Sequence, residues 1–229
     1  MDEKKKISLL RLISSHHEVD NLHTFIFETG DLTWLPGQFQ AYVLPGAGTE
    51  AKENERWFTI SSAPSEKAIH ISTRISESSF KKTLKALEIG EEIHAHSLGG
   101  DFLWESAGDR VVLVAGGIGA TPYRSMLLER KALGLPLNAT LLYFNRSNEI
   151  PFEKEFEKLS KENPEFVIKS IIGEALTADK ILEIAPESKV ESLYLSGAQP
   201  VVKSVAADLK NHGINAKLDS FPGYSESTY

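Results

Sequence analysis

The chain has 229 residues and no cysteine. Disulfides, thiol nucleophiles, zinc–thiolate centres and iron–sulfur clusters built from its own residues are therefore excluded. Positive charge is scarce: 25 Lys plus Arg stand against 32 Asp plus Glu, a formal net charge of −7. That balance argues against non-specific binding to nucleic acid or to anionic membrane surfaces. No apolar run is long enough to span a bilayer, and Met1–Lys6 lacks the apolar core of a secretory signal. The expectation is a cytoplasmic protein without membrane insertion. Internal repeats and low-complexity tracts are also missing. What remains, 41% hydrophobic and 25% charged, is the composition of an ordinary globular protein with enough chain for one large or two small domains.

One stretch organises the rest. From Arg110 the sequence reads Arg-Val-Val-Leu-Val-Ala-Gly-Gly-Ile-Gly-Ala-Thr-Pro-Tyr-Arg-Ser-Met126. Val111 to Val114 suit a strand buried on both faces. Gly116, Gly117 and Gly119 follow, and then Thr121 and Pro122 read as N-cap and first residue of a helix running to Leu133. A strand, a glycine turn and a helix start can hold a phosphate on outward-pointing backbone N–H groups. The spacing is not the G-x-G-x-x-G of the common dinucleotide fingerprint, so a tight strand-to-helix turn without ligand stays open as a reading.

Before this stretch the pattern is of short strands, at residues 7–13, 23–28, 41–44, 56–61, 69–75 and 91–96, with one helix over 80–88. This predicts an antiparallel barrel or sandwich for residues 1–105. After Ser106–Asp109 strands alternate with helices: strands at 111–115, 139–144, 166–171, 191–195 and 214–218, and helices at 122–133, 151–160, 178–185 and 200–211. Alternation of this kind predicts a five-stranded parallel sheet with helices on both faces over residues 106–229.

Chemistry-bearing residues gather at a few points. Arg56-Trp-Phe-Thr-Ile-Ser-Ser62 offers a cation, rings and hydroxyls along one strand, which a planar, partly anionic cofactor requires; taken alone, the segment reads first as an edge strand with a surface arginine. Ser78-Ser-Phe-Lys-Lys-Thr83 opens the lone helix, either as a second anion site or as ordinary serine capping. His94 and His96 share a strand face but lack a third ligand nearby, so they read as surface histidines and no metal is expected. The charged positions of Glu153–Lys161 read as a solvated helix face, and Lys4–Lys6 as a frayed terminus.

Taken in order, Pro36-Gly-Gln-Phe39, Arg56-x-Phe-Thr59, Ser79-Phe-Lys81, Gly100-Asp-Phe102 and Gly116-Gly-Ile-Gly-Ala-Thr-Pro122 resemble the motif series of the ferredoxin–NADP⁺ reductase family. The resemblance runs from about Ile7 to Tyr224. It implies a flavin-binding antiparallel barrel followed by a nicotinamide-nucleotide-binding α/β domain. By that resemblance Arg56 binds the flavin pyrophosphate, Phe58 lies against the isoalloxazine and Thr59 bonds its redox-active nitrogen. Ser72 and Arg74 line the flavin's other edge, and Ser79, Phe80 and Lys81 form the pyrophosphate-binding helix start. Gly116, Gly117, Gly119, Thr121 and Pro122 hold the nicotinamide nucleotide, with Thr121 near the nicotinamide.

Two positions depart from the family pattern. Phe58 stands where tyrosine is usual, and Ser196 in Leu195-Ser-Gly-Ala198 takes the place of the cysteine beside the hydride-transfer centre, followed by Gly197. Phe221 or Tyr224, in Asp219–Tyr224, resembles the C-terminal aromatic that shields the flavin in part of the family; a plain solvated tail is the other reading. Arg146 follows the second parallel strand, where the adenosine ribose is expected, and with no acid at that strand end it leans towards NADPH over NADH; capping of the strand end or pairing with Glu149 is the other reading. The implied activity is a flavin-dependent oxidoreductase that moves hydride from NAD(P)H to bound FAD and then electrons to a separate acceptor. A small redox protein such as ferredoxin or flavodoxin fits that role; a flavin or ferric-chelate reductase and a non-catalytic nucleotide-binding regulatory module are the alternatives.

Overall fold

The β-branched run at Val111–Val114 forms the centre of the second half of the molecule. A computed structural model describes residues 7–47, 54–105, 108–189 and 192–221. In it β7 (Val111–Gly116) is buried on both faces and lies mid-sheet in the order β11-β10-β7-β8-β9. The other strands are β8 (Ala139–Asn145), β9 (Phe166–Ile172), β10 (Ser192–Ala198) and β11 (Lys217–Phe221), all parallel. Side chains of β7 alternate between two cores. Val111, Leu113 and Ala115 pack with Tyr123, Met126 and Leu127 of α2 (Thr121–Ala132) and with Phe156 and Leu159 of α3 (Glu153–Glu162). Val112 and Val114 pack with Ile181 of α4 (Ala178–Ile184) and Val202, Val205 and Leu209 of α5 (Gln199–Asn211). The chain steps outward from β7 through β8 to β9, then returns to β10 on the other side of β7, so the strand order reverses between β7 and β10, the point at whose carboxyl ends open sheets of this kind form a binding crevice.

The first half forms a six-stranded antiparallel sheet in the order β4-β3-β6-β1-β2-β5. Its strands are β1 (Ser8–His17), β2 (Leu22–Glu28), β3 (Phe39–Val43), β4 (Glu55–Thr59), β5 (Ala68–Arg74) and β6 (Glu92–Gly99). A bridge between Ile60 and Ile71 draws the two outer strands together, giving the barrel-like closure that removes exposed sheet edges. Leu10, Leu12, Phe25, Phe27, Ile69 and Ile71 fill the interior, joined by Phe80 and Leu84 of α1 (Ser79–Ala86). Phe80 and Leu84 share one face of α1, and that face seats the helix in the barrel core.

Of the boundaries that differ from the sequence reading, three have a clear local reason. The segment between the strands read at 7–13 and 23–28 is itself strand up to His17, paired with β2 through a register shift between Leu12 and Ser14. The last strand begins at Lys217 rather than 214, because Ile214 belongs to the end of α5. Gly213 (φ 80°) donates to Lys210 O and Ile214 to Leu209 O, the paired bonds of a glycine-terminated helix, and Ile214 is buried beside Leu209. Thr121 is the first residue of α2 and no N-cap: a 3₁₀ turn, Gly117–Ala120, precedes it, and its hydroxyl donates back to Ile118 O at 3.1 Å. No helix among the described residues is long and apolar enough to cross a membrane.

Where the chain leaves the barrel, Phe102 packs against Tyr123 and Tyr194 at 5.8 and 5.6 Å between ring centroids. Gly37 of the Pro36-Gly-Gln-Phe39 motif lies directly beside it, with φ +96°, and a Cβ there would fall 2.1 Å from Phe102 O. Gly37→Ala combines a left-handed backbone with a backbone clash and is expected to cost about 2 kcal/mol or more. Urea unfolding measures this; a variant as stable as the parent would contradict the packing described.

Candidate functional site

The residues singled out in the sequence fall into two groups, one on the barrel and one at the crevice of the parallel sheet. On the barrel, β4 carries Arg56 to a half-buried position with its guanidinium carbon 5.8 Å from the Phe80 ring centroid. The cation therefore lies at the first turn of α1. That turn is not capped by a side chain. Ser78 occupies the N-cap position, yet it makes no capping bond, and its Oγ is buried without any hydrogen-bond partner. Ser79 is exposed and Lys81 half-buried beside it. A helix leaves its first N–H groups without intrahelical partners, and its N-terminus favours negative charge. A cation, those amides and an orphaned buried hydroxyl together form a cradle that an anionic group such as a pyrophosphate would complete. Ordinary serine capping, the competing reading, is not what the structure contains.

Phe58 turns into the barrel core, 6% exposed, with its centroid 5.8 Å from Phe80 and 6.1 Å from Tyr42. The ring that β4 presents outward is Trp57, 44% exposed and edge-on to Phe39. Strand alternation places Thr59 on the side of Trp57, almost fully buried. On β5, Ser72 is buried, its hydroxyl 2.8 Å from both Thr24 Oγ1 and Ser61 Oγ. Arg74 donates from Nη1 to Asp20 and Asn21 while its buried Nε has no partner, a second orphaned donor in the region expected to meet the cofactor. His96, read as a surface histidine, is buried beneath the edge of Trp57 and bonded to Glu55 at 3.1 Å. No metal-binding cluster of His, Cys, Asp and Glu occurs among the described residues.

At the crevice, Gly116, Gly117 and Gly119 have different reasons to be glycine. Gly117 adopts φ +52°. A Cβ on Gly119 would lie 2.5 Å from Ser196 O, so the turn fits only because that atom is missing. A Cβ on Gly197 would sit 3.6 Å from Gly116, leaving a crevice floor made of backbone. The Tyr143 hydroxyl braces the turn from between Gly117 O and Pro151 O, 3.1 and 3.0 Å away, with one proton shared between the two acceptors, and Tyr123 donates to Val114 O. The turn also packs against β5, which brings the crevice to the barrel. Thr121 and Pro122 are buried at its end, and exposed Arg146 follows β8. Phe221 ends β11; its side chain, and Tyr224, lie outside the described residues, as do Lys4–Lys6.

Ser196 is fully buried and donates to Asp219 Oδ2 at 3.2 Å. The sequence reading gave Asp219 no role. Asp219 stands opposite Ser196 in the parallel register of β10 and β11, a pairing that the polar and apolar mixture of Lys217–Phe221 does not signal by itself. Burial pushes its carboxyl up to about 7, against a smaller opposing effect of the Ser196 hydroxyl.

The comparisons with known proteins agree with this fold. No protein-family model matches the chain. A flavohemoprotein of Candida albicans is 29% identical over 247 aligned residues, covering 96% of this chain and 60% of its own length. A probable dihydroorotate dehydrogenase B (NAD⁺) electron transfer subunit of Methanocaldococcus jannaschii is 28% identical over 214, covering 93% and 77%. A ferredoxin NADP⁺ reductase from Neisseria gonorrhoeae, solved with bound FAD and NADP, aligns with a TM-score of 0.79 at 15% identity, covering 95% of this chain and 99% of that one. The fold is that of the ferredoxin–NADP⁺ reductase-like flavoproteins. Within this reductase-like fold the chain spans only about 60% of the flavohemoprotein it matches.

The folded Asp219 keeps its proton to about pH 7, whereas its ordinary value is 3.8. A raised carboxyl pKa makes stability highest at low pH, with the contribution lost as pH rises from about 4 through 7, up to about 4 kcal/mol. Asp219→Asn is expected to flatten that part of the stability profile and to be the more stable form at pH 8. Parallel profiles for the two proteins would contradict the assignment.

Proposed function

We propose that this chain is an NAD(P)H-dependent, FAD-containing reductase that passes electrons to a separate acceptor. The observation that carries the reading is the uncapped start of α1, with the orphaned Ser78 hydroxyl and Arg56 beside it. The barrel residues fit FAD: Arg56, Ser78, Ser79 and Lys81 would hold its pyrophosphate, and Arg74 offers an unused donor to the ring edge. The glycine turn and Gly197 would take the nicotinamide nucleotide over a backbone floor, with Arg146 favouring a 2′-phosphate and hence NADPH. FAD, when bound, supplies the exchange between two-electron and one-electron chemistry. The protein's part is placement. Gly116, Gly119 and Gly197 allow close approach at the crevice, while buried Thr59, Thr121 and Ser196 present hydroxyls fixed by packing. Asp219, accepting the Ser196 hydrogen bond on Oδ2, sets the orientation of that hydroxyl.

In this proposal the acceptor is separate from the two halves described, whose sequence has no cysteine to hold an iron–sulfur cluster. A small redox protein, ferredoxin or flavodoxin among them, suits a chain whose relatives include an electron transfer subunit. The residues themselves select no acceptor.

Arg56→Ala tests the cradle. Losing a charge-assisted bond to a phosphate costs about 1.5–3 kcal/mol, so FAD affinity is expected to fall roughly 10- to 100-fold with the circular dichroism spectrum unchanged. Fluorescence titration of the flavin-free protein measures it. A variant binding FAD as tightly as the parent would overturn the role of Arg56, and a parent that takes up no FAD would favour the regulatory-module alternative.

A further inference from the structure

The most heavily bonded buried cation in the described residues sits between the two halves of the molecule. Arg124 lies one turn into α2, immediately after the glycine turn, and is 8% exposed. Its Nη1 donates to Ser61 O at 2.8 Å and to Glu66 Oε2 at 2.9 Å, and its Nη2 to Glu66 Oε1 at 2.9 Å. Nε and Nη2 also reach Glu155 at the start of α3, at 2.7 and 3.1 Å. Glu66 in turn accepts from Ala63 N at 2.7 Å and so closes the short turn Pro64–Glu66 that leads into β5. Neighbouring residues of α2 repeat the attachment. Ser125 Oγ donates to Ser62 O at 2.6 Å, and Glu129 accepts from Ser65 N at 2.8 Å. Ser62 O is also held by Trp34 Nε1.

We propose that Arg124 is a positioning residue: with Ser125 it locks the β4–β5 connection of the barrel to the helix that carries the glycine turn. The strand bearing Arg56 and Thr59 continues directly into Ser61 and Ser62. The helix bearing Arg124 and Ser125 begins at Thr121. The lock therefore ties the last residues of one candidate binding face to the first residues of the other, by bonds that a lysine cannot reproduce. A guanidinium offers five donors in a fixed fork; an ammonium offers a point charge. Burial raises the cost of leaving either Glu66 or Glu155 unpaired, so the arrangement favours one relative placement of the halves. This geometric role stands without the proposed reaction; its consequence for turnover rests on that reading.

The absence of cysteine allows a direct test. Glu28→Cys on β2 and Lys203→Cys on α5 are exposed sites, one on each half, for a pair of nitroxide labels read by pulsed electron paramagnetic resonance. The labelled parent is expected to give one narrow distance distribution. Adding Arg124→Ala should roughly double its width or split it, as for a loosened hinge. Arg124→Lys should do so partially. If Arg124→Ala fails to fold, Arg124→Lys and Ser125→Ala carry the test. A folded variant of this series with the parent's distribution would overturn the proposal. In the FAD-loaded protein, Arg124→Lys should lower kcat about tenfold or more with the nucleotide KM within about threefold. A loss confined to KM would instead place Arg124 in support of the nucleotide turn and would also overturn it. Failure of the proposed reaction would leave the distance measurement unaffected.

Discussion

The structure depends on how closely two stretches of backbone approach at the crevice between β7 and β10. A Cβ on Gly119 would stand 2.5 Å from Ser196 O, and Gly116 faces Gly197 with room for little more than a methyl group between them. That contact fixes where the chain turns after β7 and where α2 begins. It also buries Ser196 completely and sets it against Asp219. Side chains at these positions would separate the strands or fill the crevice, so the missing atoms are as much a part of the site as the hydroxyls near it.

The barrel solves a different problem. Its interior is mostly apolar, Phe80 and Leu84 of α1 pack into it, and the Tyr42 hydroxyl and Gln40 Oε1 are buried there without partners. At the start of α1 a further buried hydroxyl without a partner lies with a guanidinium and the helix's first amides at one place. An unpaired buried polar group costs stability in the free chain, and such groups call for an explanation in function or in a bound partner. An anionic ligand supplies both the charge and the acceptor. The two candidate surfaces are then brought together by contacts that involve neither directly, through the glycine turn packed on β5 and the bonds from α2 to the β4–β5 connection.

Much of this was legible in the residues. Val111–Val114 announced a strand buried on both faces, and strand–helix alternation after it announced a parallel sheet. Phe80 and Leu84 marked one buried helix face. What the sequence left hidden was set by tertiary partners. Phe58 could be assigned to a motif, but only the packing of Tyr42 and Phe80 shows that its ring faces the core while Trp57 faces out. His96 reads as a surface residue until Trp57 and Glu55 are seen to cover it. Ile214 carries strand-like character locally, yet its burial against Leu209 terminates a helix. Arg124 and Asp219 lacked any motif at all, because their meaning comes from residues 58 and 23 positions away in the chain.

In the function proposed, the barrel holds a flavin that a nicotinamide nucleotide bound at the glycine turn reduces. An anaerobic visible spectrum of the purified protein reconstituted with FAD, recorded during stepwise addition of NADPH and separately of NADH, tests it most directly. Bleaching of the flavin bands by both or either nucleotide, with NADPH effective at the lower concentration, is the expected result. A protein that retains FAD but keeps its oxidised spectrum in excess of both nucleotides would contradict it.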